Sequence, residues 1–101
     1  MAMKATLNER VLAEAPDDEL ISIEGNWYFP PASVQADVLE KSPTPYHCPW
    51  KGDCQYFNVR NGDDVKADLA WSYPSPIPSA FERVGHDFTD YVAFARDVDV
   101  S

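Results

Sequence analysis

A lysine in a short, proline-containing phrase is the first residue whose type and surroundings suit chemistry. Lys51 follows His47-Cys48-Pro49-Trp50 and precedes a glycine. Its ammonium could anchor an anion, and a partly desolvated amine could act as a nucleophile or a base. Because the chain has four lysines, an anionic ligand would find few other cations. A solvated charge or a structural ion pair is the alternative interpretation of Lys51.

The two cysteines and two histidines raise a thiol hypothesis and a metal hypothesis. Cys48 could be a nucleophile with His47 or His86 as its base, but exposure and pKa decide whether a thiol reacts. Two reduced thiols, one or both in the core, are the simpler interpretation, and a Cys48–Cys54 disulfide is a minor alternative. His47 and Cys48 point apart in an extended chain, and there is no Cys-x-x-Cys. We therefore predict no metal site.

Aromatic side chains, 13% of the chain, suggest either a core or a pocket. Trp71 and Tyr73 end a predicted strand in Trp-Ser-Tyr-Pro, and Tyr56 lies on the strand before it. Their rings either fill the core of a small β domain or line a pocket that could stack on a ring or hold a cation. The residues indicate no particular cofactor. The candidate ligand-binding residues are Lys51, His47, Trp71, Tyr73, Cys48 and Tyr56.

Length and charge bound the class of protein. A chain of 101 residues, 45% of them hydrophobic, suffices for one domain and is too short for two. Its 17 acidic and 8 basic residues give a net charge of −9, which argues against nucleic acid and anionic membranes as partners. Without a membrane-length apolar run or an apolar secretion signal, we expect a soluble, cytoplasmic protein. Its oligomeric state is not predicted.

Nine prolines divide the chain into short segments, most of which carry strand-like patterns. Outside a central hairpin, strands are predicted at 6–7, 11–15, 20–24, 26–29 and 90–96. Asn8-Glu9 should form a tight turn between the first two strands. Ser79–Val84 is predicted as a helical turn.

The longest helix is predicted over Ala32–Lys41. Val34, Val38 and Leu39 would form its apolar face, with Ser33 as the cap and Ser42-Pro43 as the end. The proline-rich residues 42–50 should then be an ordered or extended connection.

The clearest element is a β-hairpin. Cys54–Arg60 and Asp63–Tyr73 flank Asn61-Gly62, which favours a two-residue turn because both residues can take positive φ. The resulting register pairs Arg60 with Asp63, Tyr56 with Ala67, Cys54 with Leu69 and Gly52 with Trp71. One face would be apolar, with Cys54, Tyr56, Val65, Ala67, Leu69, Trp71 and Tyr73. The other would be mostly polar, with Lys51, Asp53, Gln55, Phe57, Asp68, Ala70 and Ser72.

These elements predict a mainly β fold, α+β at the margin: a compact, single-domain antiparallel sheet, small barrel or sandwich-like, with about six strands and one short helix. Residues 3–96 should form the domain. Met1-Ala2 precede a second methionine and are expected to be a cloning remnant. Residues 97–101 should be a solvated tail, although Asp97-Val98-Asp99 has the spacing of a carboxylate pair that binds Mg²⁺.

Four phrases spread along the chain carry a family resemblance. They are Tyr28-Phe29-Pro30, His47-Cys48-Pro49-Trp50-Lys51-Gly52 with Tyr56, Ala70-Trp71-Ser72-Tyr73-Pro74, and Val92-Ala93-Phe94. Together they resemble the bacterial and fungal domain-of-unknown-function family 427. The resemblance implies a compact, mainly β domain without an established activity, sometimes labelled nucleotidyltransferase-like. No Gly-Ser pair and no P-loop is present, so the motifs do not support that label.

Three functions follow as hypotheses. The first is binding of a small anionic or aromatic metabolite between the proline-rich connection and the end of the strand at 70–76. The second is an enzyme that uses Lys51 or Cys48. The third is a protein-interaction or oligomerisation module without chemistry.

Overall fold

Closely spaced prolines and short β-branched segments produce short strands joined by tight turns. The computed structural model describes residues 2–35 and 37–101, which form nine strands, one α-helix and two 3-10 turns. The strands are β1 Ala2–Leu7, β2 Arg10–Pro16, β3 Ile21–Ile23, β4 Asn26–Tyr28, β5 Leu39–Cys48, β6 Gly52–Asn61, β7 Asp64–Ser72, β8 Val92–Phe94 and β9 Asp99–Val100. The 3-10 turns span Asp17–Glu19 and Pro31–Ser33, and α1 spans Pro78–Val84.

The strands form three antiparallel sheets, with the orders β2-β1-β9, β3-β4 and β5-β6-β7-β8. Phe29, just after β4, exchanges two backbone hydrogen bonds of 2.8 and 2.9 Å with Val92 of β8. The small sheet therefore continues the four-stranded one. The prediction of a compact, mainly β domain with one short helix is confirmed. No helix in the described part of the chain is long and apolar enough to cross a membrane.

Two tight turns have both central residues in the left-handed region, as the twist of a two-residue hairpin requires. Asn8 and Glu9, with φ of 49° and 70°, join β1 to β2 and confirm the predicted turn. Glu24 and Gly25, with φ of 53° and 82°, join β3 to β4. The predicted helix near the C-terminal end is also confirmed, as α1, and the strand that follows it is confirmed as β8.

The helix predicted over Ala32–Lys41 is wrong. After the 3-10 turn, Val34 forms an isolated β-bridge with Ala13, and Leu39 begins β5 opposite Val59. The apolar spacing that suggested a helical face instead places Val38, which is fully buried, on the core at a bend just before β5. Long-range strand pairing therefore outweighs a local helix propensity, which is worth only tenths of a kcal/mol per residue. Ala36 lies outside the described residues.

The central hairpin is confirmed, but its predicted register is wrong. Asn61 pairs with Asp64, so the turn residues are Gly62 and Asp63. On this side of the hairpin, each residue of β6 therefore pairs two positions further along β7 than predicted. A bulge opposite Asn58 then moves the partners by two more, so that Tyr56 pairs with Trp71. The bulge places Asp68 at a φ of 55°, and no local sequence signal announces it.

The predicted division of the hairpin faces is also wrong at several positions. The bulge turns Leu69 into the core with Ala70, although the prediction put these neighbours on opposite faces. Val65, expected to be buried, is exposed. Gly52 pairs with Cys48 rather than Trp71, and its φ of 116° turns Lys51 away from Asp53 and toward the ring of Tyr73.

The two ends of the chain contribute to one sheet. Ala2 belongs to β1, while Met1 lies outside the described residues. Val100 and Asp99 of β9 pair with Ala5 and Thr6 of β1. Val98 is buried, so the segment that we expected to be a tail contributes a side chain to the core.

The buried side chains form two clusters. The first cluster lies against β1, β2, β7 and β8 and consists of Ala5, Leu7, Leu12, Ala13, Ala15, Leu20, Phe29, Val38, Val59, Leu69, Ala70, Val92, Phe94 and Val98. The second cluster lies beneath α1 and consists of Ile21, Ile23, Tyr28, Cys48, Tyr73, Ala80, Phe88 and Ala93.

Candidate functional site

A pocket of about 330 Å³ opens beside the second cluster, where β4 meets the ends of β5, β6 and β7. We call it the aromatic pocket. It is lined by Asn26, Tyr28, Tyr46, Lys51, Cys54, Tyr56, Trp71 and Tyr73. The structure thus brings together four of the six candidate residues, namely Lys51, Tyr56, Trp71 and Tyr73.

Lys51 forms the polar floor of this pocket. Its side chain is 7% exposed, and its Nζ lies 2.5 Å from Oε1 of Glu24. The same Nζ lies 4.9 Å from the ring centre of Tyr73 and 5.2 Å from that of Trp50. The Lys51 carbonyl accepts a hydrogen bond from the Ile77 amide at 2.8 Å, which ties the chain before β6 to the start of α1.

The ionisation of Lys51 decides which chemistry it can perform. Burial by itself lowers the pKa of Lys51, but the hydrogen bond that Lys51 donates to Glu24 and the charges near the ammonium outweigh burial and hold the pKa above its ordinary value. Lys51 is therefore protonated at neutral pH. It can bind an acceptor or an anion, and it has no free lone pair with which to act as a nucleophile or base.

The walls of the aromatic pocket are held by contacts among the rings. Trp71 donates a hydrogen bond from Nε1 to the Tyr28 hydroxyl at 3.0 Å, and the rings of Trp71 and Tyr56 meet edge to face at 6.3 Å. Burial raises the pKa of Tyr28 and that of Tyr73, so both phenols stay neutral. These rings are therefore positioned before any ligand arrives.

Neither cysteine has the properties of an activated nucleophile. Cys48 is buried in the second cluster. Cys54 lines the aromatic pocket, but burial raises the pKa of its thiol to about 11. Since the thiolate is the reactive form, a thiol with this pKa is expected to react slowly at neutral pH. Both cysteines are free, so the structure does not contain the Cys48–Cys54 disulfide that was the minor alternative.

His47 lies outside the aromatic pocket. Its ring is exposed, and its Nδ1 lies 2.8 Å from Oδ1 of Asp53, directly across the β5–β6 pair. His86 is exposed in a separate acidic depression with Asp18, Glu19 and Asp87. Across residues 2–35 and 37–101, no three His, Cys, Asp or Glu side chains converge in a metal-binding arrangement.

Sequence reasoning missed five lining or partner residues: Glu24, Asn26, Tyr28, Tyr46 and Cys54. Three of them come from the β3–β4 hairpin, which the strand predictions at 20–24 and 26–29 had already outlined. The sequence signal was therefore the tight turn at Glu24-Gly25. Nothing local shows that this turn meets Lys51, which lies 27 positions along the chain.

A mainly β domain with a lysine-floored aromatic pocket is what the fold and the site define. The profile of one family, described as "Domain of unknown function (DUF427)", matches residues 2–101. The chain therefore belongs to this family, in agreement with the resemblance carried by its Cys-Pro-Trp-Lys-Gly and Trp-Ser-Tyr-Pro phrases. A search of curated proteins gave no match.

Proposed function

We propose that this domain binds a small aromatic molecule that carries an oxygen acceptor or an anionic group, and that it does so in the aromatic pocket. The observation that carries the proposal is a buried ammonium facing a pocket walled by rings. A lysine ammonium has three N–H donors. Within the described residues, that of Lys51 makes one hydrogen bond to a side chain, to Glu24. A ligand oxygen could accept from the others.

The size and shape of the pocket agree with this ligand class. Its volume of about 330 Å³ lies at the small end of the usual range for ligand pockets. An aromatic ligand would present an edge or a face to Trp71 and Tyr56, in the geometry that aromatic pairs prefer. Tyr46, whose side chain is exposed at the rim, offers a further ring surface.

The enzyme hypothesis gains less support from these residues. A protonated Lys51 and a buried Cys48 are poorly suited to attack a substrate. A nucleoside triphosphate would need several cations or backbone amides for its phosphates, whereas the aromatic pocket offers one lysine. We keep the sequence-based expectations of a cytoplasmic protein without nucleic acid or membrane partners as part of the proposal.

The test is an amide ¹H–¹⁵N NMR titration with pools of aromatic acids, aromatic amides, nucleotides and sugar phosphates. We expect shifts at residues 23–28, 50–56 and 70–73 from at least one aromatic pool. Lys51→Met should weaken that binding tenfold or more, since a hydrogen bond to a charged group contributes roughly 1.5–3 kcal/mol. The matched control is Lys66→Met, which removes an exposed lysine on β7 that pairs with Asp64.

Far-UV circular dichroism should show that both lysine variants are folded. Shifts confined to other regions, or equal weakening by both variants, would contradict the proposal. If no pool causes shifts, the proposed binding is overturned. A stable dimer in sedimentation, with Trp71 covered at its interface, would then support the protein-interaction or oligomerisation hypothesis.

A further inference from the structure

The ion pair on the floor of the aromatic pocket is asymmetric. The Glu24 side chain is 56% exposed, whereas that of Lys51 is 7% exposed. Glu24 stands at the tip of a two-residue turn between strands of three residues each, so it can rotate into water without disturbing a long element. Lys51 cannot follow, because its backbone is paired to Ile77 and its side chain lies among rings.

This asymmetry determines what can replace Glu24. Leaving a buried cation without a charged partner strongly destabilises the fold. Glu24 therefore cannot move away from Lys51 unless another anion replaces it. Another carboxylate can take its place at nearly balanced cost, because the departing Glu24 regains its hydration while the incoming group loses its own. The ion pair would then be exchanged rather than broken.

The number of cations in the pocket sets the charge of the incoming group. Lys51 is the one cationic side chain among the lining residues. Arg83 stacks on the Trp50 ring at 4.3 Å, but it does not line the pocket. A carboxylate, with one charge, matches a single ammonium. A phosphate ester near neutral pH carries more charge and more acceptor oxygens than this floor can satisfy.

We propose that the ligand is an aromatic monocarboxylate whose carboxylate displaces Glu24 from the Lys51 ammonium while its ring packs against Trp71 and Tyr56. This inference rests on the proposed function. It adds that Glu24 is a built-in competitor, which holds the buried lysine when the pocket is empty and opposes ligand binding.

The test compares phenylacetate with its uncharged analogue phenylacetamide and with phenyl phosphate, by NMR titration at pH 7. On the wild-type chain we expect phenylacetate to bind at least tenfold more tightly than phenylacetamide, and phenyl phosphate to bind more weakly than phenylacetate. Glu24→Gln removes the competing charge and retains an acceptor oxygen. It should tighten phenylacetate binding about tenfold and change phenylacetamide binding less than twofold.

The matched control is Glu14→Gln, which removes an exposed carboxylate on β2 that lies 4.0 Å from Lys4 on β1. It should change neither affinity. If Glu24→Gln leaves phenylacetate affinity unchanged or weakens it, the displacement is overturned. If these three probes fail but another aromatic compound binds in a Lys51-dependent way, the carboxylate inference falls and the proposed function stands. If nothing binds at the pocket, both fall.

Discussion

The first cluster consists of aliphatic side chains and two phenylalanines, whereas the second contains two tyrosines and a thiol and borders a buried lysine. They draw mostly on different strands and share β7 and β8. Strand β7 serves both, because Ala70 faces the first cluster while Trp71 packs against the second. Alternation along one strand is sufficient to separate the two environments.

The different composition of the two clusters suits the first to stabilising the fold and the second to forming a polar site. An aliphatic cluster gains free energy from every buried methylene and leaves no polar group to satisfy. The second cluster gives up part of that gain, since hydroxyls, a thiol and an ammonium need partners when they are buried. Those partners, Glu24 for Lys51 and Tyr28 for Trp71, are what shape the aromatic pocket.

The largest expected effect tests whether the first cluster carries the stability. Leu12 on β2 is fully buried there, so Leu12→Ala should lower the free energy of unfolding by about 3–4 kcal/mol through lost burial and a cavity. Urea denaturation measures this loss. Val65→Ala, at an exposed position on β7, should cost much less. Comparable losses in the two variants would mean that the first cluster is not the main source of stability.

The next effect tests whether the backbone beside the second cluster is as constrained as its side chains. Gly52 has a φ of 116°, and a Cβ there would lie 3.2 Å from the Ser75 carbonyl oxygen. Gly52→Ala should therefore cost about 2–3 kcal/mol of unfolding free energy, from backbone strain and the close contact together. Gly62→Ala is the control, because Gly62 also has a positive φ but open space around it. A smaller loss at Gly52 than at Gly62 would show that the close approach carries no cost.

The smallest effect concerns Cys54, whose thiol packs against the second cluster. The pKa of Cys54 is about 11 in the folded chain, above its ordinary value of 9.0. The unfolded chain therefore loses this proton first as the pH rises. The stabilisation is complete below pH 9 and is lost between pH 9 and 11, by on the order of 1–2 kcal/mol because the side chain is partly exposed.

Urea midpoints measured from pH 8 to 11 should fall more steeply for the wild-type chain than for Cys54→Ala. In a Cys48→Ala background, the alkylation rate of Cys54 by iodoacetamide should rise with a midpoint near pH 11. Rapid alkylation at pH 8 would show that Cys54 is a reactive thiol and would contradict a pKa near 11.

Much of the fold was predictable from local patterns. Asn8-Glu9 and the central hairpin were found because turn residues and alternating segments are signals within a few positions. The helix over Ala32–Lys41 failed because the spacing of Val34, Val38 and Leu39 fits a helical face. Nothing local distinguishes that face from a β-bridge, a bend and a strand start that each place one of these side chains against the core. The partners that decide between them, Ala13 and Val59, lie about 20 positions away.

The candidate site was predictable by residue type and not by arrangement. Lys51, Tyr56, Trp71 and Tyr73 were selected for their chemistry, and they meet in the aromatic pocket. His47 was selected for its place in the same phrase, but strand alternation directs it to the opposite face, toward Asp53. The hairpin register was off by four positions at Tyr56. Two of these come from the turn, which lies at Gly62-Asp63, and two come from a bulge, which depends on how the sheet curves against its neighbours.

Composition, turn chemistry and alternation by themselves determined that this is a small, acidic, mainly β domain with a lysine beside clustered rings, since each follows from residue types and short spacings. Only the tertiary structure decided that Lys51 is buried and paired with Glu24. Burial and ion pairing depend on what a distant segment places nearby, and a two-residue turn on another sheet supplies the carboxylate. The pairing that keeps Lys51 protonated, and thus favours binding over attack, is therefore a property of the fold rather than of the phrase that contains the lysine.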